Sequence, residues 1–338
     1  QWTVYNGSKR LKTIEQEKLN NRVADLDVAT SENDIEQSIA QVYIQILYAA
    51  ESVKVNENTL QVSEAQRDRG KQLLDAGSIA RSDYAQLEAQ VSTDRYQLVT
   101  AQATLQDYKL QLKQLLELDG EQEMQVYLPA LGDENVLSPL PTKTDVFRSA
   151  VALRPEIEAS KLSVEASELG IGIAKSGYLP SVSLTAGIGT NHTSGSDFTF
   201  GEQVKNGWNN SIGLSISVPI FNNRQTKSAV EKAKLQYQTS QLTLLDEQKT
   251  LYKTIEGLWL DANSAQQRYA AAIEKLHSTQ TSYELVSEQF NAGMKNTVEL
   301  LTEKNNLLQA QQELLQSKYM AILNTQLLKF YQGDKITL

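Results

Sequence analysis

Two short motifs recur in this chain at one fixed distance. Tyr5-Asn6-Gly7 answers to Phe221-Asn222-Asn223, and Asp75-Ala76-Gly77 answers to Asn291-Ala292-Gly293, each pair lying 216 residues apart. The same offset sets Glu15 against Glu231, Lys18 against Lys234, Leu19 against Leu235, Ile39 against Ile255, Leu98 against Leu314 and Leu112 against Leu328. An offset held without a gap over roughly 100 residues means two copies of one structural unit. It displaces the two ordinary globular domains that a length of 338 residues would otherwise suggest.

Inside each copy prolines vanish, with none between Gln1 and Tyr127 and none between Ile220 and Leu338. Helices of unusual length are therefore permitted. From Ser8 to Asp75 the apolar positions recur at helical spacing, as in Ile39, Val42, Tyr43, Ile46 and Leu47. At 1.5 Å per residue such a helix would run about 100 Å. Gly77 is placed to end it. After that break Tyr84, Val91, Leu98, Leu105 and Leu112 fall at intervals of seven, with Leu87, Ala101, Tyr108 and Leu115 alongside. The second copy gives Leu300, Leu307, Leu314, Ala321 and Leu328. Seven-residue spacing is a coiled-coil seam, so each copy reads as a long antiparallel helical hairpin with its tip at Gly77 or Gly293.

Between the copies, Asp119 to Thr144 holds Gly120, Pro129, Gly132, Pro139 and Pro141 and reads as a surface linker. Leu153-Arg154-Pro155-Glu156 then opens a helix that runs to about Ser176. Tyr178-Leu179-Pro180 ends it, and the pattern changes to period 2. Val182, Leu184, Ala186 and Ile188 alternate with Ser183, Thr185, Gly187 and Gly189. Past a polar loop, Asn191 to Gly207, a second strand alternates Ile212, Leu214, Ile216, Val218 and Ile220 with small polar residues. Two such strands of about ten residues match a membrane β-barrel hairpin. Tyr178 and Phe221 at one end, with Phe198, Phe200 and Trp208 at the other, would form interfacial girdles. By the repeat, Trp2 and Val4 match Val218 and Ile220, so the first copy is expected to lack its opening strand, roughly 70 residues and any signal peptide.

Composition excludes several other classes. There is no cysteine, which removes disulfides, thiolate metal sites and thiol catalysis. His192 and His277 stand far apart, as solvated positions, and no metal site, cofactor or catalytic constellation is expected. A net charge of -9 argues against a nucleic-acid partner. Only 7% of residues are aromatic and the mean hydropathy is -0.40, which suits long helices better than thick cores. No apolar run reaches the 18 or so residues of a transmembrane helix. Trp259, at helical spacing with Ile255, reads as hairpin packing.

The sequence now resembles the TolC-like outer-membrane efflux proteins (outer membrane factors). The resemblance rests on Ala152-Leu153-Arg154-Pro155-Glu156-Ile157, on Ala174-Lys175-Ser176-Gly177-Tyr178-Leu179-Pro180-Ser181-Val182-Ser183-Leu184, on Ser217-Val218-Pro219-Ile220-Phe221-Asn222-Asn223 and on the two Ala-Gly tips. It covers essentially the whole chain, with a first repeat at 1–118, a linker at 119–154, a helix at 155–178, a transmembrane hairpin at 179–220 and a second repeat at 221–333. It implies a mainly α fold with a small membrane β portion, and a homotrimer whose strands share one barrel and whose hairpins build a tunnel across the periplasm. It also implies a cell outer membrane location in a diderm bacterium, and coupling to a periplasmic adaptor and an inner-membrane pump.

By position, the resemblance assigns a gate. Ser82 and Asp83 follow the first tip, Phe290 precedes the second, and Lys295 follows it as the expected partner of Asp83. Glu299 would form an acidic ring, beside Thr302 and Glu303. The tip residues Gly77, Ser78, Ile79, Ala80 and Arg81, with Gly293, Met294 and Asn296, are the expected adaptor contacts. Val182, Leu184, Ile188, Ile212, Leu214, Ile216 and Val218 are expected to face lipid. The competing reading is a periplasmic coiled-coil scaffold or adaptor without a pore, which would need no lipid-facing strands.

Overall fold

The structure, a computed structural model, describes residues 1–119, 124–129, 132 and 136–336. Gly120 of the expected linker lies outside them. The chain is mainly α, with one small sheet. Its helices are α1 (Lys9–Asp75), α2 (Arg81–Leu115), α3 (Lys143–Leu153), α4 (Pro155–Lys175), α5 (Phe200–Asn206), α6 (Gln225–Asn291) and α7 (Thr297–Gln332). The strands are β1 (Trp2–Asn6), β2 (Ser181–Gly189) and β3 (Asn209–Ser217). Two compact units divide the chain, Gln1–Thr30 with Arg154–Thr250, and Ser31–Leu153 with Leu251–Leu338.

The repeat is written into the backbone. α1 and α6 are each 67 residues long. Left-handed conformations recur at matched positions: Gly7 and Ser8 with Asn223 and Arg224, Gly77 with Gly293, and Glu117 with Gly333. Each mark ends a strand or caps a helix. Left-handed Ser8, Asn223 and Arg224 each cost about 1–3 kcal/mol, and their recurrence shows that both copies need the same sharp entry into the long helix. Gly7 also has no room for a side chain, because a Cβ would come within 2.7 Å of Leu179 Cβ.

In the first unit β2 is central, with β1 and β3 antiparallel on either side. Trp2, Leu184 and Leu214 pair across one face, joined by Tyr5, Val182 and Ile216. Thr3, Ser183 and Ser215 pair across the other. A register shift between Thr3 and Tyr5 lifts Val4 out of the alternation. Tyr5 therefore takes the place that the repeat gave to Val4. β3 stops at Ser217, because Pro219 has no N–H for the ladder; Val218, expected within the strand, lies just beyond it. The expected polar loop contains α5, whose first turn is held by Thr199 N–H donating to Glu202 Oε2 at 2.9 Å.

α4 opens on Pro155 and carries Glu156 and Glu158 in its first turn and Lys175 in its last, all favourable to the helix dipole. A cavity of about 220 Å³ is bordered by Asp27 of α1, Glu156 and Ser160 of α4, and Glu247 of α6. Glu156 Oε2 and Glu247 Oε2 are buried there without hydrogen bonds. Burial pushes the Glu247 carboxyl above the ordinary range; the Ser160 hydroxyl opposes this, and Glu156, Asp246 and Asp27 add to it. A carboxyl whose folded pKa is raised favours the fold when protonated and loses that contribution as pH rises through its folded pKa. Glu247→Gln is thus expected to raise the thermal midpoint at about pH 7, with the gap closing as the solution is acidified; calorimetry across that range checks it.

The second unit corrects the expected linker at 119–154. Its last third is α3, started by Thr142, whose Oγ1 accepts from Asp145 N–H at 3.3 Å and donates to Asp145 Oδ2 at 2.6 Å. Val146 and Ala150, one turn apart, bury the inner face of α3. The extended stretch before it is pinned to α6. Trp259 Nε1 donates to the Pro141 carbonyl at 3.0 Å, Gln266 Nε2 donates to the Val136 and Ser138 carbonyls, and Lys143 lies 4.8 Å over the Trp259 ring. Trp259 therefore holds the linker, a role beyond the hairpin packing expected of it.

Candidate functional site

Both tips use one reversal. At the first, Gly77 N–H donates to the Leu74 carbonyl and Ser78 N–H to the Leu73 carbonyl, at 2.9 and 2.8 Å. At the second, Gly293 N–H donates to Phe290 and Met294 N–H to Gln289, at the same two distances. This is the paired closure of a helix by a left-handed residue. Glycine suits it with φ near 74° and 75°.

The next helix then starts with an acidic residue at its third position. Asp83 Oδ2 accepts from Ala80 N–H at 3.2 Å. Glu299 Oε2 accepts from Asn296 N–H at 3.2 Å, while Asn296 Oδ1 accepts from Glu299 N–H at 2.9 Å. Asp83 and Glu299 are repeat counterparts, so the two carboxylates assigned to the gate occupy one structural position. Lys295 pairs with Glu299, Nζ to Oε1 at 2.5 Å. The Lys295 ammonium first, then the Asn296 amide, hold the Glu299 carboxyl below its ordinary range. Within one chain the structure does not bring Lys295 to Asp83, because Lys295 turns along α7 to Glu299.

Phe290, expected at the gate, is instead a core residue, 2% exposed. It packs with Leu73, Leu87 and Leu300, and Ile79, Tyr283, Val286 and Leu301 surround that cluster. Ile79 therefore turns inward, whereas Gly77, Ser78, Ala80, Arg81, Ser82, Gly293, Met294 and Asn296 are exposed. This core joins the two hairpins near their tips. Gln66 Nε2 donating to Tyr283 Oη at 2.7 Å and Arg69 Nη2 donating to the Asn291 carbonyl at 3.2 Å add polar ties.

Further from the tips lies a group that the sequence reading missed. Ser63 of α1, Asp94 of α2 and Lys304 of α7 are 2%, 1% and 3% exposed. Lys304 Nζ donates to Asp94 and to Ser63, and Ser63 donates to Asp94. Gln90 Nε2 donates to the other Asp94 oxygen at 2.9 Å. Burial lowers the Lys304 pKa, and Asp94 opposes that shift. One signal was available: the line Leu87, Ala101, Tyr108, Leu115 runs through Asp94, a charge in an apolar seam. Lys304→Met would leave Asp94 buried without its cation, at about 3–5 kcal/mol, while Asp94→Leu with Lys304→Met should restore most of the loss. Denaturant unfolding of the three variants measures both.

At the sheet, Ile188, Ile212, Leu214 and Ile216 expose their side chains, Ile212 by 85%. Val182 and Leu184 are half-buried on the same face. Val218 and Ile220, beyond the strand, are exposed as well. His192 sits in the β2–β3 loop with its ring against Phe200, centroids 5.3 Å apart. Among the described residues no His, Asp or Glu group is arranged to hold a metal ion, and no helix is long and apolar enough to cross a membrane.

A family model described as outer membrane efflux protein matches residues 146–333. Outer membrane protein TolC of Escherichia coli (strain K12) is 25% identical over 335 residues, a match covering 95% of this chain and 66% of TolC. Outer membrane efflux protein BepC of Brucella suis biovar 1 (strain 1330) is 24% identical over 294 residues, covering 86% of this chain and 61% of BepC. Among solved structures, CusC superimposes with a TM-score of 0.83 at 19% identity, over 98% of this chain and 75% of its own. The chain spans at most about two thirds of the length of these curated relatives.

Proposed function

The chain belongs to the outer membrane efflux protein family, and on that premise we propose that it forms one wall segment of a passive exit duct, closed by further copies into a trimer. The observation that carries this reading is a sheet with one face of exposed Ile188, Ile212, Leu214 and Ile216 and another of Ser, Thr and Gly, in a chain that also carries two 67-residue helices. Such a sheet suits a wall between lipid and water. The sheet of β1, β2 and β3 has open edges, which lipid does not tolerate, and further strands would close it, those of other copies among them. The helices, about 100 Å each, are the right length for a tunnel through the periplasm.

The duct performs no chemistry in this reading. An adaptor would engage the exposed tip residues, among them Arg81, Met294 and Asn296, and an inner-membrane pump would supply the energy. Glu299 and its counterpart Asp83, repeated around the axis, would make an acidic collar that favours cations. Lys295 neutralises part of it. The assigned Asp83–Lys295 link would have to form in a state where Lys295 leaves Glu299.

Planar-bilayer recording of the full-length protein tests the duct and the collar. Glu299→Ala should reduce cation preference and Lys295→Ala should increase it; an unchanged reversal potential in both sinks the collar. Because Lys295 holds the Glu299 carboxyl low, the cation preference is expected to persist as bath pH falls through the ordinary Glu range near about 4.3. Ile212→Arg on the lipid face should weaken membrane insertion by about 2–4 kcal/mol. A scaffold without a pore would show no conductance and would tolerate Ile212→Arg.

A further inference from the structure

The two hairpins are copies of one architecture, yet one side of each is packed against the other kind. Such copies carry a hazard, because a seam that accepts hairpin two should also accept a second copy of hairpin one. At the Ser63, Asp94 and Lys304 group the copies differ in charge. Across the 216-residue offset, Lys304 corresponds to Glu88, Asp94 to Ala310 and Ser63 to Thr279. In the native contact Lys304 meets Asp94. Were hairpin one to occupy the place of hairpin two, Glu88 of one copy would be buried against Asp94 of the other. Were hairpin two to occupy the place of hairpin one, Lys304 would be buried against Ala310 and Thr279, with no anion.

We infer that the buried Ser63, Asp94 and Lys304 group is a pairing key, which makes hairpin one accept hairpin two and reject another copy of its own kind. The like-charged and the uncompensated arrangements are both strongly unfavourable in a buried seam, whereas the native arrangement satisfies every partner. The exposure of the counterparts fits this role: Glu88 is exposed on α2, while Lys304 is buried on α7. The buried contact and the repeat are independent of whether the chain forms a duct.

The chain has no cysteine, so thiol crosslinking starts from a silent background. Asn58 and Gln311 line one small cavity beside Lys304 and report the native pairing. In the native sequence, Asn58→Cys with Gln311→Cys should close within one chain. A mixture of chains carrying Glu274→Cys and chains carrying Gln311→Cys, the matching positions for two second hairpins, should stay unlinked. With Asp94→Leu and Lys304→Met added, that mixture should give two-chain product at least on the order of tenfold above the native level. Reversing the charges, Asp94→Lys with Lys304→Asp, should return it to the native level. An apolar pair as silent as the native one overturns the proposal. Should the apolar pair fail to fold, Glu88→Lys decides, since it changes only an exposed residue. It gives hairpin one its own cation, and chains with Asn58→Cys and Arg95→Cys should then link to each other. If they stay unlinked, the key is not in these residues.

Discussion

Two long helices can share a seam only if the chain between them reverses at a fixed residue. Their registers are locked together by that turn, and a slip of one position rotates every side chain by about 100° around the helix. Gly77 and Gly293 supply the reversal through the same pair of backbone hydrogen bonds. The left-handed pairs Gly7-Ser8 and Asn223-Arg224 fix the other end. The second helices are 35 and 36 residues long, so about half of each 67-residue first helix is set against its hairpin partner. The buried positions then follow: Leu87, Val91 and Leu112 in one copy, and Leu300, Leu307, Ala321 and Leu328 in the other.

Duplication gives matched lengths, and differences between the copies give direction. At the tips the copies remain alike, since Asp83 and Glu299 both close the first turn of their helices. A capping carboxylate is anchored by backbone amides, so its position is set before any partner arrives. Away from the tips the copies diverge into the buried ion group. Such a group adds little net stability over an apolar pair, because desolvation offsets much of the Coulomb gain. Its value is geometric, since only one approach of the hairpins satisfies it.

Much of this was legible in the sequence because periodicity and punctuation are local. Helix α1 ends within a residue of where Gly77 predicted, and the alternation of β2 and β3 separates Leu184 from Ser183 as the pattern said. What escaped depended on contacts distant in sequence. Helix α3 lies among Pro139, Pro141 and Pro155, and these breakers mask its Thr142-to-Asp145 cap. Phe290 sits next to a tip but is drawn inward by Leu73 and Leu87, more than 200 residues away. The partner of Lys295 depended on a rotamer, and one turn of helix brings Glu299 nearer than the opposite tip. Lys304 and Asp94 look like ordinary surface charges until the hairpins close over them.

In the proposed duct the sheet and the helices would each need neighbours, on different physical grounds. The sheet's need is in its hydrogen bonds: the outer edges of β1 and β3 carry backbone groups that lipid would leave unpaired. The helices' need is in apolar area. Leu11, Val28 and Ile35 on α1, with Leu235, Leu242 and Leu285 on α6, are all at least half exposed in the single chain. Lone exposed leucines are ordinary, but a succession of them along two long helices is apolar area that the single chain leaves uncovered. Strand edges demand a closed ring, whereas apolar area is satisfied by any neighbour. In the proposed duct the strands would fix the ring, and the pairing of the helices would be selected by something more specific than hydrophobicity.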